Sequence, residues 1–139
     1  MSTAKLYNAE LLGLATSLAN YPLNEDLPFR GSARSPACGS VVEVGLNTHH
    51  DGTIARVGIK AQACAVGQAS AAIFAASAPG LSGADIAAAL DEIETWLAGG
   101  ELPHWNGIAA IAAARDYPAR HGAILLPWRA ALVALAARG

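Results

Sequence analysis

The sequence predicts an α+β fold: a leading helix, a small antiparallel sheet of about three strands, and a helical second half. Three observations carry that prediction. Apolar residues recur at helical spacing in the first twenty positions, strict alternation flanks Asp51-Gly52, and the pattern from Cys64 onward is helical to the end. The chain has 139 residues, which fits a single domain over 1–139 with one core.

The first helix is expected over Thr3 to Asn20, where Tyr7, Leu11, Leu14 and Leu18 form one stripe. Tyr21-Pro22 ends it, because the residue before proline avoids the helical region. Asn24 to Pro36 reads as a loop or edge strand, since Pro28, Gly31 and Pro36 limit regular pairing. The next run is the clearest β signal: Val42, Val44 and Leu46 alternate with Val41, Glu43 and Asn47. A second run sets Ala55, Val57 and Ile59 on one face, and Arg56 and Lys60 on the other. Asp51-Gly52 between them predicts a hairpin, with a loop longer than two residues.

A helix is then expected from Ala65 to Ala78, stopping at Pro79-Gly80. Ser82, with Asp85 three positions on, resembles a capping box. Ile86, Leu90, Ile93 and Leu97 would be the buried face of that helix, and Gly99-Gly100 its end. A short helix is expected over Asn106 to Arg115. The last runs near Arg120 to Ala137, with Ile124, Trp128, Leu132 and Leu135 on one side. Pro127 inside it removes a hydrogen bond and costs roughly 3 kcal/mol, so the helix should kink there or begin there.

Composition narrows the function classes. Hydrophobic residues are 53% and charged residues 14%, which excludes disorder as the main state. The formal charge is −2, without the basic field that nucleic acid requires. The N-terminus does not read as a signal peptide, and no stretch reads as a membrane span. A cytoplasmic setting is expected, and the two cysteines are then thiols.

Few residues could carry chemistry. Cys38 lies in Ser35-Pro36-Ala37-Cys38-Gly39-Ser40, at the turn into the first clear strand, where Gly39 lets backbone approach closely. Cys64 lies where the second strand gives way to a helix. A thiol at a helix N-terminus feels the positive end of the dipole, which lowers its pKa. His49-His50-Asp51 concentrates potential ligands on a hairpin tip, where solvated turn residues are the simpler account. His104-Trp105 reads as a packed indole or a partner contact. Trp96 and Trp128 read as core, and Asp91, Glu92 and Glu94 as a solvated helix face. No phosphate loop or nucleophilic triad stands out, and no enzymatic activity is expected.

Pro36-Ala37-Cys38-Gly39 resembles a motif of proline, any residue, cysteine, glycine and aspartate. Ala63-Cys64-Ala65, followed by Ala69-Ser70-Ala71, is similar to a second motif. Glu101-Leu102-Pro103, Ala114-Arg115-Asp116-Tyr117-Pro118-Ala119-Arg120 and Leu126-Pro127-Trp128-Arg129-Ala130 resemble later segments. Together they look like the iron–sulfur cluster scaffold family of the IscU, SufU and NifU N-terminal type, in its SufU-like branch, over Tyr7 to Leu132.

The resemblance implies that three cysteines and the aspartate gather at one end of the sheet to hold a nascent cluster or zinc. Only Cys38 and Cys64 carry over. The aspartate is Ser40, and the alignment places the last cysteine at Ala123. His121, two residues away, is a candidate nitrogen ligand. Two copies could pool their cysteines in a homodimer, or one thiolate could accept sulfur with no metal. The implied function is a scaffold or carrier binding iron, a cluster, zinc or persulfide sulfur through Cys38 and Cys64. Its implied partners are a cysteine desulfurase and other assembly components. The alternatives are a degenerate, cluster-free binding or regulatory module of that machinery, and a SufU-like sulfur acceptor.

Overall fold

A computed structural model describes residues 6–138. The element order is α1 (Ala9–Ser17), β1 (Phe29–Arg34), β2 (Val41–Thr48), β3 (Ile54–Gln62), α2 (Ala65–Ser77), α3 (Gly83–Leu97) and α4 (His121–Ala137). This is the α+β arrangement that the alternation and helical periodicities predict.

The first helix starts later than its apolar stripe suggests. The Asn8 side chain accepts a hydrogen bond from the Leu11 N–H at 2.9 Å and caps the helix, so Ala9 is its first residue. Thr3 to Lys5 of the expected helix lie outside the described residues. The helix tightens into a 3-10 turn over Leu18–Asn20 before Pro22.

The sheet is antiparallel in the order β1-β2-β3, so the segment read as loop or edge strand is an edge strand. Val42, Val44 and Leu46 on central β2 are fully buried, as their alternation requires. A register shift, from Asn47↔Arg56 to Thr48↔Ile54, leaves Ala55 as the extra residue. Ile54 is thereby buried, while Ala55 and Val57 are only half-buried. The β2–β3 loop covers His49 to Thr53, with Gly52 at φ +87°. The opposite face of the sheet is covered by the Pro22–Leu27 segment. It passes so close to the paired glycines Gly45 and Gly58 that a Cβ at either would collide with it.

The helices lie on the Val42–Leu46 side, where α4 packs on β1, β2, α2 and α3, and α1 packs on α2. The capping box forms: the Ser82 hydroxyl accepts from the Asp85 N–H, and the Asp85 carboxylate accepts from the Ser82 N–H. The buried face of α3 is Ile86, Ala89, Ile93 and Trp96, with Leu90 and Leu97 flanking it half-buried. The segment expected as a short helix is a 3-10 stretch, Ile108–Asp116, broken at Ile111.

Pro127 neither starts nor ends α4, which runs from His121 to Ala137. Burial on nearly every side holds it: Ala123 to Trp128 are all buried. The Ser70 hydroxyl donates to the Ile124 carbonyl at 2.7 Å, beside the turn the proline disturbs. Trp128 and Trp96 are core residues. Trp105 is a packed indole: it stacks on Phe74 at 5.6 Å, meets Trp128 edge-on at 5.2 Å, and donates from Nε1 to the Ile73 carbonyl at 3.0 Å.

Candidate functional site

Cys38 sits on the hairpin loop between β1 and β2. The strands pair up to Arg34↔Val41, and the Ser35 N–H donates to the Ser40 carbonyl at 2.9 Å to close the loop. Four residues, Pro36 to Gly39, make the bend, and the Gly39 N–H donates to the Ser35 carbonyl at 2.8 Å. Gly39 has φ +72° with open space around a would-be Cβ. The left-handed turn, not a close backbone approach, is what requires glycine there.

The loop presents an exposed thiol above two buried hydroxyls. Cys38 is exposed, whereas Ser35 and Ser40 are buried. Cys38 Sγ lies 3.2 Å from Ser40 Oγ. When the thiol ionises, the hydroxyls become donors. Hydrogen bonds from the Ser35 side chain first, then from the Ser40 side chain and backbone, hold the Cys38 thiol below its ordinary pKa. A low thiol pKa and exposure together are the marks of a nucleophilic cysteine.

Cys64 stands at the N-cap of α2, half-buried and in extended conformation. Its side chain makes no capping hydrogen bond. The start of α4 joins this junction to the Cys38 loop. Gly122 abuts the Ser35 side chain, and Ala123 is buried against Gly67, one turn into α2, which itself abuts Ala63 beside Cys64. Three separate segments therefore bring Cys38, Ser40, Cys64, His121 and Ala123 to one end of the sheet.

The other candidates lie elsewhere or are engaged. The Asp51 carboxylate accepts from the Thr53 hydroxyl at 2.7 Å and the Thr53 N–H at 2.9 Å, which hold it below the usual carboxylate range. His49, His50 and Asp51 are at the other end of β2 and β3 from the cysteines. His104 pairs with Glu92 at 3.0 Å on the surface. Glu94 faces Arg129 at 3.7 Å, both half-exposed, and Asp91 is exposed on the same helix.

The donor set does not suit a resident zinc or cluster within one chain. Such a site closes with about four ligands. Among the described residues, no group of three His, Cys, Asp or Glu could hold a metal ion. Ala123 offers a methyl, packed at zero exposure. His121 Nε2 is engaged with the Arg115 carbonyl at 2.7 Å.

No family model and no curated protein matches the chain. Solved structures do. The N-terminal part of a nitrogen-fixing NifU-like protein from Brucella abortus superposes with a TM-score of 0.85 at 27% identity, covering 95% of this chain and 93% of that one. An iron–sulfur cluster assembly scaffold for the SUF system from Fervidobacterium islandicum gives 0.84 at 19% identity, covering 96% and 99%.

This chain has the fold of the NifU-like and SufU scaffold proteins.

Among the described residues no helix is long and apolar enough to cross a membrane. At the cysteine end of the sheet position 40 carries a hydroxyl and position 123 a methyl. One residue of the site went unread in the sequence. Ser35 is the partner of Ser40 across the base of the loop, and the register that pairs them becomes visible only once Phe29–Arg34 is known to be a strand. A hydroxyl on each side of Pro36-Ala37-Cys38-Gly39 is the signal that could have found it.

Proposed function

We propose that this scaffold-type protein serves iron–sulfur cluster assembly as a sulfur acceptor and carrier, with Cys38 as the accepting thiol and a cysteine desulfurase as the donor. One observation carries the reading: an exposed Cys38 thiol hydrogen-bonded to a buried hydroxyl, where no group of three His, Cys, Asp or Glu forms among the described residues. Sulfur transfer requires a nucleophile and an open approach, not a complete ligand set.

The step balances without a metal. The Cys38 thiolate attacks the outer sulfur of a persulfide on the donor enzyme. A new S–S bond forms on Cys38, the donor's S–S bond breaks, and the donor cysteine leaves as a thiolate. The Ser35 and Ser40 hydroxyls donate to the attacking thiolate. The exposed loop gives the donor access, and the cargo leaves for cluster assembly as sulfur.

The test is sulfur loading from a cysteine desulfurase and free cysteine, read by mass spectrometry after thiol blocking. Wild type and Cys64→Ser are expected to gain one sulfur atom on Cys38, and Cys38→Ser is expected to gain none. Equal loading of Cys38→Ser and wild type would overturn the reading.

A further inference from the structure

Cys64 has no part in the acceptance step, and its position calls for a role. Helix N-caps favour Ser, Thr, Asp or Asn, whose side chains accept hydrogen bonds from the first turn. Here the position holds a thiol that caps nothing. It is partly exposed, and the positive end of the thirteen-residue α2 favours negative charge beside it.

Its placement relative to Cys38 follows from the sheet. Val41 pairs with Gln62 at the end of the β2–β3 ladder. Beyond that pair β2 leads back through Ser40 and Gly39 to Cys38, and β3 leads on through Ala63 to Cys64, so the two thiols flank the same end of the sheet. A disulfide requires Cα atoms within roughly 7 Å, an approach that a short loop can make. The α4 start closes the same end from the side, touching Ser35 through Gly122 and Gly67 through Ala123. Cys38 is on a short exposed loop.

We propose that Cys64 is the resolving thiol of this site: it attacks the Cys38 persulfide, forms a Cys38–Cys64 disulfide and releases the carried sulfur as hydrosulfide. The inference rests on Cys38 being the sulfur acceptor. Cys64 loses its proton to solvent, and its thiolate attacks the Sγ of Cys38. The new Sγ–Sγ bond replaces the bond to the outer sulfur, which leaves with the electron pair. The outer sulfur is reduced by two electrons, and the two cysteine sulfurs supply them on becoming a disulfide. Sulfide is thus delivered without an external electron donor, and a dithiol reductant resets the pair afterwards. An acceptor lacking a cluster cage gains from this a way to discharge.

The experiment follows hydrosulfide release from the full chain after loading by a desulfurase and removal of small thiols. Wild type is expected to release one sulfide for each Cys38–Cys64 disulfide, the disulfide being located by peptide mapping. Cys64→Ser, which places a favoured N-cap residue there, is expected to load as wild type does and to discharge at least tenfold more slowly. Loaded wild type that forms no Cys38–Cys64 disulfide, or Cys64→Ser that discharges at the wild-type rate, would overturn the inference and leave acceptance at Cys38 standing. Failure of Cys38 to load would overturn both.

Discussion

The two ends of the β2–β3 pair hold comparable chemistry in the sequence and opposite arrangements in the fold. At one end His49, His50 and Asp51 are consecutive on a single loop, and the Asp51 carboxylate is taken up by Thr53. At the other end no two of the ligand-type residues are neighbours in sequence. A hairpin loop, a strand-to-helix junction and the start of α4 carry Cys38, Cys64 and His121 to the same end of the sheet, with His121 turned to the Arg115 carbonyl. Neighbours on one tight turn tend to satisfy that turn. Residues delivered by separate rigid elements can face a common point, and a binding or reactive site needs that convergence.

The largest effect that would sharpen this contrast is restoration of a ligand cage. Ser40→Asp combined with Ala123→Cys adds a carboxylate and a thiol at the cysteine end. If that end is the ligand-gathering one, the double variant should retain about one equivalent of zinc per chain. Elemental analysis after dialysis against a weak chelator reads this directly. A double variant that folds and retains no zinc would show that position 123 does not face the cysteines, and the contrast between the two ends would collapse.

A smaller effect concerns the hydroxyls under Cys38. Ser35→Ala and Ser40→Ala should each move the Cys38 titration toward the ordinary thiol value, because each removes a donor to the thiolate. The measurement is the pH dependence of alkylation in a Cys64→Ser background, where only Cys38 reacts. Both variants should have higher midpoints than the parent. The linked stability follows in sign. A thiol whose folded pKa is depressed adds stability above its unfolded pKa, and that contribution is lost as pH falls through the folded value. On so exposed a group the alkylation profile is the sensitive readout. Midpoints identical to the parent would make Ser35 and Ser40 mere closures of the loop.

Features set by local rules were legible in the sequence. The Ser82–Asp85 capping box, the Asp51-Gly52 hairpin and the helix start after Cys64 each depend on a few adjacent residues, and each forms. Features set by packing were not. Pro127 carries a real local penalty, yet a helix buried on nearly every side and a hydroxyl from Ser70 override it. Gly39 was read as a point of close approach, and its φ shows a left-handed turn. At the site, Cys38, Ser40, Cys64 and Ala123 could be singled out because each sits in or beside a recognisable motif. Ser35 could not, because its role exists only through pairing across the loop. The engagement of His121 with the Arg115 carbonyl was hidden for a related reason: it depends on the path of the 3-10 segment before α4, which periodicity does not determine.

The smallest effect belongs to the hairpin tip, and it tests the comparison from its quiet side. His49 and His50 are both exposed, and hydrogen bonds of the loop at 49 and 50 run through backbone atoms: the His49 N–H to the Thr53 carbonyl, the Gly52 N–H to the His49 carbonyl, and Arg138 to the His50 carbonyl. Removing both imidazoles leaves those bonds in place. A His49→Ala, His50→Ala double variant should therefore unfold within about 0.5 kcal/mol of wild type in urea. Its sulfur loading at Cys38 should be unchanged. A large loss of loading with unchanged stability would mean that the tip contacts the sulfur donor, and a ligand-rich turn without convergence would then have earned a function after all.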